Sequence, residues 1–363
     1  MSESEIQNAY LPDEIIKEIL SRLPVKSLLQ FRSVSKHWKC VIANTDFIKS
    51  HLKHALSSST QHRILIPSSP LLSLSYNLSP NNIYESTEIH CPFLNPKAHT
   101  KIMGSCNGLV CLMDDTRDMI IYNPSTRRHF KPFQLAQQAL YFSNRVEFVY
   151  GFGCGCGSNP NDMRMFRFPR FSRDFKYNKF KEHDKITTSS SSYDFIDTVG
   201  TFLNGVLHWL AHRSGNNDDY RLIASFNVSE ETFLDICLPN QDSRLPCYVL
   251  GVLHGCLSGL CNAICYTEVE VWLMEEYGVV DSWKIFVKIP LYTGIENISY
   301  MRHLRSLNDD EILLEINLQS FVIYDAKKKM FRHVTSANEL ILFGDAVVYV
   351  ETLLSPEVLC VMH

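Results

Sequence analysis

Leu11-Pro12-Asp13-Glu14-Ile15-Ile16-Lys17-Glu18-Ile19-Leu20-Ser21-Arg22-Leu23-Pro24-Val25-Lys26-Ser27-Leu28-Leu29-Gln30-Phe31-Arg32-Ser33-Val34-Ser35-Lys36-His37-Trp38 is the stretch from which the rest of the chain is read. Pro12 sits where proline is tolerated, at the start of a helix, because its missing N–H is not needed there. Ile15, Ile16, Ile19, Leu20 and Leu23 recur at helical spacing and form one apolar stripe. Asp13 and Glu14 fall in the first turn, where negative charge suits the helix dipole. Pro24 ends the helix, since its ring disfavours helical geometry in the residue before it. A second short helix is predicted over 26–31. A third is predicted from Ser33 as N-cap, with Val34, Trp38 and Val41 on one face. Asp46 is the candidate cap of a fourth helix carrying Phe47, Ile48 and Leu52. A fragment of about fifty residues has little core of its own. Its apolar surplus therefore predicts a partner surface.

The order of the motifs is more specific than the stripe. A Leu-Pro opening and a helix lead into Leu23-Pro24-Val25-Lys26-Ser27-Leu28-Leu29, then Phe31-Arg32-Ser33-Val34, then Lys36-His37-Trp38. This string resembles an F-box, a small helical hook for the Skp adaptor of a cullin ubiquitin ligase. The resemblance implies adaptor-facing positions at Leu11, Pro12, Ile16, Leu20, Leu23, Pro24, Leu28, Val34 and Trp38. It also implies a protein that performs no chemistry itself and selects what another assembly ubiquitinates. Amphipathy alone would equally describe a helical subdomain packed on the rest of the chain.

With 363 residues the chain has room for one small and one large domain. Hydrophobic residues make up 45% and charged residues 20%, the composition of a soluble globular protein. A net charge of −4 gives no general electrostatic reason to expect nucleic acid or an anionic membrane as partner. The first ten residues include Glu3 and Glu5 and lack the apolar run of a secretory signal. Cys40, Cys106, Cys111, Cys237 and Cys261 mostly lie in apolar runs, where cysteine acts as a small hydrophobe. Free thiols fit a reducing compartment, so a cytoplasmic or nuclear location is expected. Residues 245–267 contain no Asp, Glu, Lys or Arg, a length that could cross a bilayer. Pro246, His254, Ser258, Asn262 and three glycines instead predict two buried strands around a His254-Gly255 turn.

Beyond Leu56 the pattern changes. Ser57-Ser58-Ser59-Thr60 reads as a linker, and from Arg63 onward β-branched and aromatic runs alternate with turn residues. Asn107-Gly108 and Asn204-Gly205 are each flanked by apolar residues, the signature of tight hairpin turns. Ile121-Tyr122-Asn123, Ser225-Phe226-Asn227 and Ile323-Tyr324-Asp325 are echoes of one another. Each is followed by a polar turn and a further Phe, at Phe130, Phe233 and Phe331. Val271-Trp272-Leu273-Met274 and Ser282-Trp283 read as two strands about Gly278. Recurring strand–turn–strand units predict a propeller.

These motifs, with Tyr122-Asn123-Pro124-Ser125-Thr126-Arg127, Leu203-Asn204-Gly205-Val206-Leu207-His208-Trp209 and Tyr349-Val350-Glu351-Thr352-Leu353, look like the plant F-box-associated domain. That F-box/kelch-like class includes the pollen S-locus F-box proteins. The expected architecture is α+β multidomain: a helical F-box over 6–54, a linker over 55–62, and a large all-β, propeller-like domain over 63–363. The resemblance implies a Skp-type adaptor and a cullin as partners and an unknown protein as target, a secreted ribonuclease if the chain is of S-locus type. Capture would fall to loops on one face of the β domain. The sequence departs from the pattern twice. It has no Gly-Gly pair, so kelch repeats are not supported. Between Cys154 and Ser192 the usual strand pair ending in Ser-Trp is missing, which predicts a blade shortened, lost or rebuilt.

That departing stretch interleaves Arg164, Arg167, Arg170, Arg173, Lys176, Lys179 and Lys181 with Phe166, Phe168, Phe171, Phe175, Tyr177 and Phe180. Such a pattern can grip single-stranded nucleic acid or an acidic protein. The favoured reading is a degraded strand pair with a solvated loop, because no RNA-binding fold signature surrounds it. Candidate partner-binding residues are Arg164, Arg167, Arg170, Arg173 and Lys176. Gly151-Phe152-Gly153-Cys154-Gly155 is followed by turn residues rather than a helix, so it reads as a glycine-rich turn and not a phosphate loop. No Cys-x-x-Cys pair is present, and His254 near Cys256 reads as a buried histidine beside a thiol. Neither cofactor nor metal nor enzymatic activity is expected.

Overall fold

The computed structural model describes residues 11–75, 86–91, 99–115, 119–131, 147–155, 163–170, 193–213, 220–239, 247–262, 267–291, 298–334, 345–357 and 360–362. Four helices come first: α1 (Asp13–Ser21), α2 (Val25–Phe31), α3 (Lys36–Ala43) and α4 (Thr45–Ser57). Pro12 precedes α1 and Pro24 precedes α2, so both prolines open helices and Pro24 also separates two of them. Two caps differ from the sequence expectation. Ser35, not Ser33, caps α3, its Oγ accepting from the Trp38 N–H at 3.0 Å. Asn44, not Asp46, caps α4, accepting from the Asp46 and Phe47 N–H groups at 2.9 and 3.2 Å. Asp46 then supplies first-turn negative charge. Helix α4 continues through residues 55–57 with Ala55 buried, so the connection to the β domain shortens to a single 3-10 turn, Ser59–Gln61.

The β domain runs β1 (His62–Ile66), β2 (Leu71–Ser75), β3 (Ser86–Ile89), β4 (Lys101–Cys106), β5 (Leu109–Met113), β6 (Met119–Asn123) and β7 (Arg128–Phe130). Next come β8 (Glu147–Cys154), β9 (Met163–Arg170), β10 (Tyr193–Phe195), β11 (Thr201–Leu203), β12 (Val206–Arg213), β13 (Tyr220–Asn227) and β14 (Thr232–Ile236). The last are β15 (Cys247–Leu253), β16 (Cys256–Asn262), β17 (Glu268–Met274), β18 (Trp283–Pro290), β19 (Met301–Ser306), β20 (Glu311–Ile316), β21 (Ser320–Asp325), β22 (Met330–Val334), β23 (Val347–Val350) and β24 (Cys360–Met362). Among the described residues they make six sheets: β23-β1-β2-β3, β4 to β7, β24-β9-β8, β10 to β14, β15 to β18, and β19 to β22. The first strands of successive sheets touch in order. β23 meets β4, β4 meets β8, β8 meets β11 and β12, these meet β15, β15 meets β19, and β19 returns to β23. The ring is closed, as a propeller requires.

Ring closure and the departure after Cys154 both have a structural answer. The ring is sealed by β23 from the end of the chain pairing antiparallel with β1 from its beginning, Ile64 opposite Val348. The atypical third sheet is rebuilt: β24 adds to β9 in parallel, Val361 opposite Arg164, in place of the missing strand pair. Within the uncharged stretch, Cys247–Leu253 and Cys256–Asn262 form the predicted hairpin of β15 and β16. Among the described residues no helix is long and apolar enough to cross a membrane.

Two turn designs recur. Asn107-Gly108, Asn204-Gly205 and His254-Gly255 all have positive φ at both positions (51°/80°, 47°/84° and 51°/74°) and join β4 to β5, β11 to β12 and β15 to β16. This is the mirror-image turn whose twist matches the flanking strands. The second design starts at Asn123, Asn227 and Asp325, whose side-chain oxygens accept backbone N–H groups two or three residues on. Each turn closes on a positive-φ residue, Arg127, Glu231 or Lys329. The Phe that follows then pairs across the hairpin: Ile121 with Phe130, Phe226 with Phe233, Tyr324 with Phe331.

The motif tryptophans bind neighbouring sheets together. Trp209 is fully buried, and its Nε1 donates to the Tyr150 carbonyl of β8 at 3.2 Å. Trp283 Nε1 donates to the Cys237 carbonyl, just past β14, at 3.1 Å. Around Trp209 an aromatic core collects Phe166, Phe168, Phe195 and Phe226. Cys106, Cys111 and Cys261 are buried as expected, whereas Cys40 is exposed and Cys237 half-buried.

Two glycines in like turns have unlike surroundings. A Cβ on Gly255 would meet nothing within 4 Å, while one on Gly108 would lie 2.3 Å from the Val350 carbonyl oxygen and 2.5 Å from Thr352 Cγ2. Gly255→Ala is expected to cost about 1 kcal/mol, the left-handed backbone penalty alone. Gly108→Ala is expected to cost about 3 kcal/mol, because the closing segment must also move. Thermal midpoints of the two variants check this. Equal losses would show that Gly108 answers only to its φ.

Candidate functional site

The helical hook has a core of its own. Leu20, Leu28, Val41, Ile42 and Phe47 are buried together, with Ile16, Leu23, Phe31 and Trp38 packed around them. Phe31 and Trp38 meet edge to face at 5.4 Å. The buried His51 ring bonds through Nε2 to the Leu23 carbonyl at 2.9 Å and secures the end of α1. This arrangement divides the α1 stripe in two. Leu20 and Leu28 are 1% and 0% exposed, whereas Leu11, Ile15, Ile19 and Val34 are 56%, 47%, 50% and 63% exposed. Pro12 and Pro24 are exposed, and Ile16, Leu23 and Trp38 are half-buried. Of the nine positions named from the sequence, Leu20 and Leu28 therefore belong to the hook's interior. The helix stripe is wider than one face, and internal packing takes its Leu20 edge. Ile15 and Ile19, absent from that set, stand on the outer edge. Their i, i+4 spacing was legible, but which edge faced outward was not.

The hook is bolted to the β domain by the segment after β23. Leu353 packs into the hook core and Leu354 into the core between the second and third sheets. Ile48, Leu52 and Ala55 of α4 join Leu354 there, with Met103, Leu109 and Val350. Polar ties lock the same segment. Asn123, fully buried, donates through Nδ2 to the Thr352 and Leu354 carbonyls at 3.0 and 2.7 Å. The Glu351 N–H donates to the Gln61 carbonyl at 2.8 Å. The Glu351 carboxylate accepts from the Val25 N–H at the start of α2, where Pro24 has no side-chain cap to offer, and pairs with Arg63 at 3.7 Å. Burial pushes that carboxyl up, and Arg63 opposes the shift.

The inner strands enclose a cavity of about 370 Å³ lined by Asp197, Tyr300, Arg302 and Asp345 among others. Most of its polar groups are bonded, although the buried His303 Nδ1 has no hydrogen-bond partner among the described residues. Arg302 Nε donates to Glu315 Oε2 at 3.1 Å, Tyr300 donates to Asp345 at 3.0 Å, and Asp197 accepts from the Leu210 N–H at 2.9 Å. His303 bonds to Ser258 Oγ at 2.6 Å, and His208 lies between the Thr201 carbonyl and Tyr277 Oη at 3.0 and 2.8 Å. The His254 ring lies against Phe286, with centroids 5.1 Å apart, and the Cys256 thiol faces the His254 carbonyl. Among the described residues no group of three His, Cys, Asp or Glu could hold a metal ion.

Burial pushes His303 down to about 3 and His208 and His62 down to about 4. The unfolded chain protonates these rings near 6.5, the folded chain only well below it. Stability present at neutral pH is thus lost as pH falls from 6.5 toward 4, by up to about 1.4 kcal/mol per pH unit for each ring. The thermal midpoint is expected to drop between pH 7 and 5, and a His208→Gln, His303→Gln variant to drop less steeply. A flat profile in the wild type would contradict the assignment.

The basic–aromatic stretch is partly spoken for. Arg164 Nη1 donates to the Val228 carbonyl and Glu231 Oε1 at 3.1 and 3.3 Å, tying β9 to the β13–β14 turn. Arg167 stands 4.5 Å over the Phe148 ring. Phe166 and Phe168 are core residues, not free faces for stacking. Arg170 is the last residue of β9. Arg173, Lys176, Lys179, Lys181, Phe171, Phe175, Tyr177 and Phe180 lie outside the described residues.

A helical hook with an outward apolar edge, fixed to a closed ring of sheets, matches two family profiles. The F-box domain profile covers residues 10–50, and that of the F-box associated β-propeller domain covers residues 62–353. The chain belongs to the F-box associated β-propeller family. F-box protein CPR1 of Arabidopsis thaliana is 29% identical over 88% of this chain and 83% of its own. F-box/kelch-repeat protein At3g23880 of the same plant is 28% identical over 95% of this chain and 96% of its own. YCF48 from Cyanidioschyzon merolae, a solved structure, aligns with a TM-score of 0.38 and 8% identity over 81% of this chain and 94% of that one. That likeness is too loose to carry an argument. The F-box and its propeller together have the architecture of a substrate adaptor, and the F-box implies a Skp-type partner.

Proposed function

We propose that this chain is the substrate-recognition subunit of a Skp–cullin–F-box ubiquitin ligase, acting in the cytoplasm or nucleus. The observation that carries the reading is the exposed edge of Leu11, Ile15 and Ile19, with Val34 exposed in the α2–α3 connection, on a hook whose own core is already filled. Exposed apolar side chains gathered in one place mark a protein contact. The F-box edge binds the Skp adaptor, Pro12, Pro24 and the open sides of Ile16, Leu23 and Trp38 extend the contact, and a cullin joins through the adaptor. Loops of the propeller hold a target protein near the charged ubiquitin carrier. The mechanism is proximity: holding the target in place raises its effective concentration, so the receptor needs no catalytic group. A hook bolted to the propeller by Leu353, Leu354 and Asn123 fixes the distance over which that transfer occurs.

The test is capture in plant cells. Proteins bound by the propeller are expected to be ubiquitinated with wild-type chain, and to accumulate unmodified when an Ile15→Asp, Ile19→Asp chain replaces it. Captured proteins whose modification and abundance ignore the hook variant would overturn the receptor role.

A further inference from the structure

Residues of α2, α3 and α4 meet the propeller across a crevice of about 480 Å³. That volume lies within the ~300–1,000 Å³ of small-molecule sites. Arg32 and Lys49 reach its wall from the hook, and Arg128 reaches it from the first residue of β7. Among the described residues no carboxylate lines the crevice, and none of these three cations forms an ion pair. Elsewhere the chain pairs partly buried cations readily, as with Arg63 and Glu351 or Arg302 and Glu315. Two further lining residues, Thr126 and Ser355, carry buried hydroxyls without a hydrogen-bond partner among the described residues. Apart from Thr45 the remaining wall is apolar, with Leu29, Ile42, Ile48 and Leu354 among its residues.

We infer that this crevice binds a small organic anion carrying at least two negative charges. Three unpaired cations converging on one enclosure create a positive potential that an anion relieves. Guanidinium groups match the oxygens of a phosphate or a pair of carboxylates with parallel hydrogen bonds. The unpartnered hydroxyls supply donors for further oxygens, and the aliphatic wall accepts an apolar body. Because the cations come from both halves of the chain, the ligand joins them. It braces the hook against the propeller at the place where Leu353 and Leu354 already tie them together.

Calorimetric titration of the full chain tests this with two probes, phenyl phosphate and inorganic phosphate. Phenyl phosphate is expected to bind saturably, to raise the thermal midpoint, and to bind more tightly than inorganic phosphate. Lys49→Glu and Arg128→Glu, each of which replaces attraction by repulsion, are expected to weaken it by about tenfold or more. The ligand-free thermal midpoint of Arg128→Glu, an exposed position, reports that its fold is intact. Absence of saturable binding by either probe, or affinity unchanged in both charge-reversed variants, would overturn the site. Equal affinity for the two phosphates would overturn the organic part of the assignment.

Discussion

Replacing Ile15 and Ile19 together by aspartate is expected to abolish adaptor binding and leave the chain folded. Both side chains are about half exposed and stand outside the hook core, so their loss costs the free chain little. Aspartate's weaker helix propensity costs only about 0.5 kcal/mol per site. In the complex the same two positions would put carboxylates into an apolar contact, a penalty of about 4 kcal/mol or more, roughly a thousandfold in Kd. Leu20→Asp with Leu28→Asp is the contrasting pair. Those leucines are sealed inside the hook, and an unpaired charge there collapses the hook itself. Circular dichroism and thermal midpoints separate the two cases: binding lost with the fold kept, against binding lost because the fold is lost. Retained binding by a folded Ile15→Asp, Ile19→Asp chain would move the adaptor surface elsewhere.

Asn123→Leu produces the second large effect, at the junction. Its amide is buried with all its hydrogen bonds spent. Two donated bonds go to the Thr352 and Leu354 carbonyls, and two accepted bonds come from the Ser125 and Thr126 N–H groups. A leucine of similar size leaves these groups without partners, at about 1–3 kcal/mol for each one that stays buried. We expect a loss of about 4 kcal/mol, with amide exchange speeding up first across 350–355 and the end of α4. Asn227→Leu is the internal control. Asn227 holds the same turn position in the fourth sheet, but among the described residues it accepts only the Ser229 and Glu230 N–H groups. Its replacement should cost about 1–2 kcal/mol and leave exchange at the hook unchanged. Equal effects of the two variants would mean that Asn123 serves only its turn.

The contrast between Asn123 and Asn227 shows what a sequence can and cannot declare. The turn role is local, fixed by side chain and spacing, and the echo of Asn123, Asn227 and Asp325 exposed it. The three mirror-image hairpins were legible for the same reason, since Asn-Gly and His-Gly specify backbone geometry. Long-range roles were not. Nothing near Asn123 announces the Thr352 and Leu354 carbonyls, and nothing near Pro24 announces that Glu351 will supply the start of α2 with an acceptor. The rebuilt third sheet is the same problem: a gap after Cys154 was visible, but not that residues 360–362 fill it. In the hook, periodicity located the stripe and left its outward edge open, because Leu20 and Ile19 are equally apolar and only tertiary packing separates them. The basic–aromatic stretch is another case in which tertiary packing decides between readings that the sequence leaves open. Strand β9 is covered on both faces by neighbouring sheets, so Phe166 and Phe168 become core, and Arg164 an inter-sheet tie. Membership of the S-locus group and a ribonuclease target rest on the sequence resemblance alone.

Titration of the purified full chain with a purified plant Skp adaptor tests the central claim most directly. The account predicts saturable one-to-one binding with a negative heat-capacity change, the mark of apolar surface leaving water, and no measurable heat from the Ile15→Asp, Ile19→Asp chain. A folded wild-type chain that does not bind the adaptor would contradict it, and would make the hook a packing subdomain of the propeller.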